Sequence, residues 1–159
     1  HVFDASSVIY AWDNYPIAQF PPVWKWMAVG IEDGEFAIPR VGVSEVERKT
    51  PDCAKWLKAR DIPVLDLDAY VLREALRIKR LLGIVEDAYH PKGVGEVDIL
   101  IIATASLAGA TLVSDEAKQF NLPYDRARYK IPAVCKLPEV ATHCISFVEL
   151  IKWSQTVFE

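Results

Sequence analysis

The sequence predicts an α/β protein, a three-layer sandwich in which a central, mostly parallel sheet carries helices on both faces. Three observations lead there. Short apolar runs recur along the chain, at Val2-Phe3, Phe36-Ala37-Ile38, Val64-Leu65, Thr111-Leu112-Val113 and Cys144-Ile145-Ser146. Segments with apolar residues at helical spacing separate them, and such alternation implies parallel strands joined by crossover helices. No repeat, low-complexity tract or linker interrupts the pattern, so residues 1–159 are expected to form one domain.

Taken in order, Val2-Phe3 reads as a strand running into Asp4, and Val8, Ile9 and Trp12 mark a helix capped by Ser6 or Ser7. Pro21-Pro22 opens a helix through Trp24, Trp26, Met27 and Ile31 that stops at Gly34, where a left-handed residue is easily accommodated. Phe36 to Ile38 reads as a buried strand, Val41 to Lys49 as a helix carrying Glu45, and Pro51 starts a helix with Cys53, Trp56 and Leu57 inward. Pro63-Val64-Leu65 suits an edge strand. Asp68 caps a long helix with Val71, Leu72, Ala75, Leu76, Ile78 and Leu82 inward, ending at Gly83. A loop from Glu86 to Gly95 precedes the most apolar helix, Asp98 to Ala108, and Thr111 to Val113 then reads as a central strand delivering Ser114, Asp115 and Glu116. A short helix within Ile131 to Val140, a strand at Cys144 to Ser146 and a helix from Phe147 to Trp153 complete the chain.

Length and composition narrow the class. A chain of 159 residues with 52% apolar content can bury roughly two-thirds of its unfolded surface without disulfides. Its three cysteines form no CxxC pair, which argues against a disulfide framework or zinc knuckle and for a reducing compartment. No leader pattern and no run of about 18 uncharged apolar residues is present. A soluble, cytoplasmic protein with no membrane partner is the expectation. The net charge of −4 does not exclude a nucleic-acid partner, because acids gathered at a cation site leave the remaining surface near neutral. Arg40, Arg48 and Lys49, and then Arg126, Arg128 and Lys130, form basic stretches suited to a phosphate backbone, although a solvated mixed-charge surface explains each equally well.

The chemistry lies in acids placed where apolar segments end: Asp4, Glu45, Asp98 and the pair Asp115-Glu116. Alone, each has an ordinary explanation. Asp4 ends a strand, Asp98 suits a helix cap, Glu45 suits an i,i+4 pair with Lys49, and Asp115-Glu116 suits an exposed loop. Together they can reach the carboxyl edge of the sheet, where open α/β folds bind ligands. Carboxylates gathered without a His or Cys set select a hard cation, Mg²⁺ or Mn²⁺, and such ions organise phosphate chemistry. No P-loop, GxSxG elbow or Cys-His pairing offers a rival.

In order, Val2-Phe3-Asp4-Ala5-Ser6, Val43-Ser44-Glu45-Val46, Asp98-Ile99-Leu100-Ile101-Ile102-Ala103-Thr104-Ala105 and Leu112-Val113-Ser114-Asp115-Glu116 resemble the PIN-domain nucleases. Within these the chain is similar to a PIN-like subfamily related to the toxins of toxin-antitoxin pairs. The resemblance covers nearly the whole chain, with the Asp98 to Ala105 stretch its most specific part. It implies a Mg²⁺- or Mn²⁺-dependent endoribonuclease with catalytic acids Asp4, Glu45, Asp98 and Glu116. Asp4 is then the central metal ligand, Asp98 a second, and Glu45 a ligand or a neighbour of one. The family pattern of Ser or Thr, one variable residue, then an acid selects Glu116 as the fourth, with Glu replacing the usual Asp and Asp115 kept as an alternative. Ser6, Ser114 and Trp12 are the substrate-side candidates. The implied partners are single-stranded RNA and an antitoxin protein. A homodimer is suggested separately by Trp24, Trp26, Trp56, Trp153 and Phe158, an excess of large apolar residues for one small core. Two other readings stand beside this one. A haloacid-dehalogenase-type phosphatase needs a second Asp where Ser6 stands, and a PIN-fold binding module with weak or no catalysis is favoured by the Glu at 116.

Overall fold

The computed structural model describes all residues from His1 to Glu159. Strands and helices alternate as β1 (Val2–Phe3), α1 (Ala5–Asn14), α2 (Pro21–Glu32), β2 (Ile38–Pro39), α3 (Arg40–Lys49), α4 (Pro51–Lys58), β3 (Val64–Leu65), α5 (Ala69–Leu81), α6 (Glu96–Leu107), β4 (Leu112–Val113), α7 (Ile131–Cys135), β5 (Cys144–Ile145) and α8 (Phe147–Ser154). A 3₁₀ turn, Arg126–Arg128, lies between β4 and α7.

All strand pairings are parallel. β4 is central between β1 and β5, with Val2 beside Leu112 and Leu112 beside Cys144. β2 pairs with β3, and a bridge between Val2 and Ala37 joins the two groups into the spatial order β3-β2-β1-β4-β5. The direction of that order reverses between β1 and β4, and at such a switch point the connections diverge and leave a crevice at the carboxyl edge.

Successive strand residues face opposite sides, so each strand feeds both layers. Val2 and Leu112 join α5, α6 and α7 in one apolar cluster; Phe3, Val113 and Ile145 join α1, α2, α4 and α8 in the other. Between these layers β1, β2 and β4 are buried throughout, which is why they read as apolar runs, while β3 at the edge is half-buried. Gly30 of α2 sits directly beneath the Phe36 ring, where any Cβ would collide with it.

Several expectations shift by a few residues. Asp4 itself is the N-cap of α1, so Ser6 and Ser7 lie inside the helix and bond to other groups. The second strand pairs over Ile38–Pro39, with Ala37 contributing only the bridge. α6 begins at Glu96, making Asp98 its third residue; the carboxylate reaches back to the Gly95 N–H at 2.8 Å, leaving no need for it at the cap position. Leu72 and Leu76, expected inward, are 48% and 51% exposed, because α5 packs on α6 and buries only Val71, Ala75 and Ile78 of its own residues. The aromatic excess is spent internally. Trp24 is buried and meets Trp12 and Trp56 edge-on at ring distances of 5.3 and 4.8 Å, while Trp26 packs against Phe36 and Phe158. Only Trp153 of these is exposed, stacked on His143 at 4.8 Å.

Candidate metal centre

At the switch point, β1 ends in Asp4 and β4 ends in Ser114. Asp4 is 3% exposed, yet its carboxylate meets only hydroxyls: Ser6 and Ser114 both donate to Oδ2, Ser114 at 3.0 Å. The same hydroxyls hold the following loop, since Ser6 Oγ accepts from the Asp115 N–H at 3.0 Å and Ser114 Oγ from the Glu116 N–H at 3.3 Å. Ser7 Oγ lies 2.8 Å from both the Asp4 and the Val113 carbonyls. Three serines thus stitch the ends of β1 and β4 together and fix where Asp4, Asp115 and Glu116 begin.

The other acids arrive on separate elements. Asp98 comes from the first turn of α6, Glu45 from α3, and Asp115 and Glu116 from the loop after β4. Their charges act on one another. Burial pushes the Asp4 carboxyl up from the ordinary range, its serine hydrogen bonds pull it back, and the charges of Asp98 and Glu45 push it further up. Burial likewise raises Asp98; the Gly95 N–H opposes this, Glu116 and Glu45 add to it, and Lys49 opposes it. Asp115 is pushed up to about 6 by burial, against the Phe147 N–H at 3.1 Å, with Asp4 and Glu149 adding to the rise. All five predicted acids therefore lie within one another's electrostatic reach, directly or through a shared neighbour.

The side chains are not gathered around one point. No three His, Cys, Asp or Glu residues stand together in a way that would hold an ion. Each acid turns to a nearer partner: Glu45 to Lys49 Nζ at 2.5 Å, Glu116 toward Lys130 Nζ at 3.9 Å, Asp98 and Asp115 to backbone N–H groups, and Asp4 to its serines. In its chemistry the donor set fits a hard divalent ion, being entirely oxygen and including a buried carboxylate with no cationic partner.

Of the substrate-side candidates, Ser6 and Ser114 are engaged as described. Trp12 lies about two helical turns along α1 from Asp4, half-buried against Trp24. The i,i+4 pair of Glu45 and Lys49 expected from the sequence is formed, and Lys49 also acts on Asp98. Sequence reasoning missed Lys118 beside Glu149 and Asp115 and Lys130 beside Glu116. It also missed the bridge that Ser7 makes to β4 and the N-terminus of α8, which holds Asp115.

Residues 1–158 match the family described as a domain of unknown function, DUF4411, and the chain belongs to that family. Among solved structures it is similar to a chain of VapBC2 from Rickettsia felis, crystallised bound to a DNA fragment from their promoter, with a TM-score of 0.57 and 16% identity over 91% of this chain and 96% of that one. No curated protein matches it. The parallel sheet flanked by helices is thus a PIN-like α/β fold, as the sequence predicts.

Proposed function

We propose that the protein is a divalent-metal-dependent endoribonuclease. The observation that carries this reading is Asp4: a carboxylate 3% exposed at the sheet's switch point, without a cationic partner and surrounded by the charges of Asp98 and Glu45. Burying such a group is costly unless a cation completes it. Asp4, Asp98 and Glu116 would hold Mg²⁺ or Mn²⁺, with Asp115, tied to α8, as the alternative fourth ligand. Bound there, the ion supplies Lewis-acid chemistry, lowering the pKa of a water and offsetting charge on the departing oxygen of a phosphodiester. Ser6 and Ser114 keep Asp4 aimed, and Lys49 and Lys130 hold Glu45 and Glu116 near it until they are needed.

The likeness to VapBC2 supports a further part of the reading, that the protein acts as a toxin restrained by an antitoxin protein. A homodimer belongs to the same reading, supported by the exposed Leu72, Leu76 and Leu107 of α5 and α6 rather than by the tryptophans. A binding module with weak or no catalysis is the second reading, favoured by the absence of a gathered ligand set.

The test is cleavage of single-stranded RNA with and without Mg²⁺ or Mn²⁺. Asp98→Asn keeps size and removes charge, and is expected to cut cleavage by about 10²-fold or more, the scale of losing one group that stabilises transition-state charge. An equal rate for the variant at equal purity removes Asp98 from the site, and no cleavage by the wild type with either metal moves the binding module ahead.

A further inference from the structure

The loop after the acids has an unusual surface. Phe120 and Tyr124 are 93% and 106% exposed, so both rings stand in solvent with nothing of this chain over them. Along this segment the charge inverts, with Lys118, Arg126 and Lys130 also facing Glu149, Glu139 and Glu116 and with Arg128 and Lys136 in no ion pair. In a chain of net charge −4, the segment from Ala117 to Lys136 carries Lys118, Arg126, Arg128, Lys130 and Lys136 against the single acid Asp125.

The loop is held in place despite its exposure. Gln119 bridges it, donating to the Arg128 carbonyl at 3.0 Å and accepting from the Lys130 N–H at 2.8 Å. Asp125 accepts from the Ala127 N–H at 2.9 Å. Tyr129 accepts from the Val94 N–H at 2.9 Å, and Gly93 packs so closely on the Ala127 carbonyl that no side chain fits there. The loop therefore leaves the site at Glu116 and is pinned, at its far end, to the segment that leads into Asp98. It thus runs beside the acids at both ends. Between it and α7 lies a cleft of about 270 Å³ with Phe120, Leu122, Pro132 and Ala133 as apolar walls and Lys118 and Lys136 as cations.

Exposed rings, a cleft walled by apolar groups and flanking cations match a chain of unstacked bases on a phosphate backbone. A buried protein partner needs neither the alternation of rings with cations nor the inverted charge. We infer that the Ala117–Lys136 segment is a binding platform for single-stranded nucleic acid, its bases stacking on Phe120 and Tyr124 and its phosphates meeting Lys118, Arg126, Arg128 and Lys136. Given the proposed function, on which this inference rests, that nucleic acid is RNA and the platform feeds it to the acids.

Binding is measured with the full chain by fluorescence anisotropy on a labelled single-stranded oligoribonucleotide, in EDTA so that nothing is cut. Phe120→Ala/Tyr124→Ala is expected to raise Kd by about tenfold or more at fixed salt, since each stacked base is worth about 1–3 kcal/mol, and to leave the salt dependence unchanged. Arg128→Gln is expected to lower the slope of log K against log salt by about 0.7, the share of one phosphate contact on a single strand. Unchanged melting curves show that these exposed substitutions leave the fold intact. Single-stranded DNA of the same sequence separates RNA from polynucleotide in general, and equal affinity for it narrows the claim to single strands of either kind. Three results overturn the platform: no binding by the wild type, equal binding of a duplex, or full affinity in the double alanine variant. Ring-dependent binding without cleavage keeps the platform and removes the nuclease; cleavage indifferent to the rings does the reverse.

Discussion

Asp4 combines features that oppose one another: nearly complete burial, hydrogen bonds only from hydroxyls, and acids as electrostatic neighbours. Each disfavours the ionised form except the hydroxyl bonds, so Asp4→Asn is expected to stabilise the metal-free protein by about 1 kcal/mol, the scale of one pKa unit. Urea denaturation in EDTA checks this, and a destabilised variant would show that the charge of Asp4 is already compensated. The pH dependence has the same sign. A carboxyl raised in the folded state favours folding when protonated, so its contribution is full below the unfolded value of 3.8 and disappears as pH climbs through the folded value, about 6 for Asp115. Glu149 and Glu74, held low by Lys118 and Arg77, act oppositely but below their ordinary value of 4.5. Between pH 5 and 7 the raised group prevails, and the metal-free chain should melt several degrees higher at pH 5 than at pH 7. A flat or rising profile over that interval contradicts the shared acidic site.

At the scale of elements, the packing of α2 on the sheet turns on Gly30, whose missing Cβ admits the Phe36 ring. Alanine gains up to about 1 kcal/mol of helix propensity, yet the displaced ring belongs to a cluster with Phe3 and Trp26 and has little room to move. Gly30→Ala is expected to destabilise by about 1–3 kcal/mol net, the scale of overpacking; a stabilised variant in chemical denaturation would mean the ring shifts freely. Elements were the most legible level of the sequence. Strands buried on both faces are written as short apolar runs, and the stop at Gly34 and the cap at Asp68 are written in single residues whose conformation or side chain does the work. Contacts between elements were less legible. Leu72 and Leu76 fit a helical period as well as Val71, Ala75 and Ile78 do, and only the placement of α6 decides which stripe is covered. The tryptophans look surplus in one dimension because the neighbours that enclose them, Phe36 and Phe158 around Trp26, are distant in sequence. Each acid could be named from the strand or helix it adjoins. Lys49 could be paired with Glu45 from their spacing, but the serine bridges and the partners Lys118 and Lys130 depend on side-chain contacts across elements, which spacing does not encode.

At the scale of the whole molecule, the order β3-β2-β1-β4-β5 puts a switch point between β1 and β4, serines tie the two strand ends together there, and acids from four parts of the chain act on one another around it. Each acid turns to a private partner, and the proposed metal centre requires a cation to draw them together. Binding only the folded state stabilises it by RT ln(1 + [L]/Kd), about 2.7 kcal/mol at a hundredfold excess over Kd, or about 5–10 °C for a chain of this size. The most direct test is the melting temperature of the wild type, Asp4→Asn and Glu45→Gln with and without saturating Mg²⁺ or Mn²⁺. The metal-centre account predicts a rise of that order in the wild type, most of it retained in Glu45→Gln, where Lys49 already engages the side chain, and lost in Asp4→Asn. No metal-dependent shift in the wild type, or an equal shift in Asp4→Asn, contradicts it.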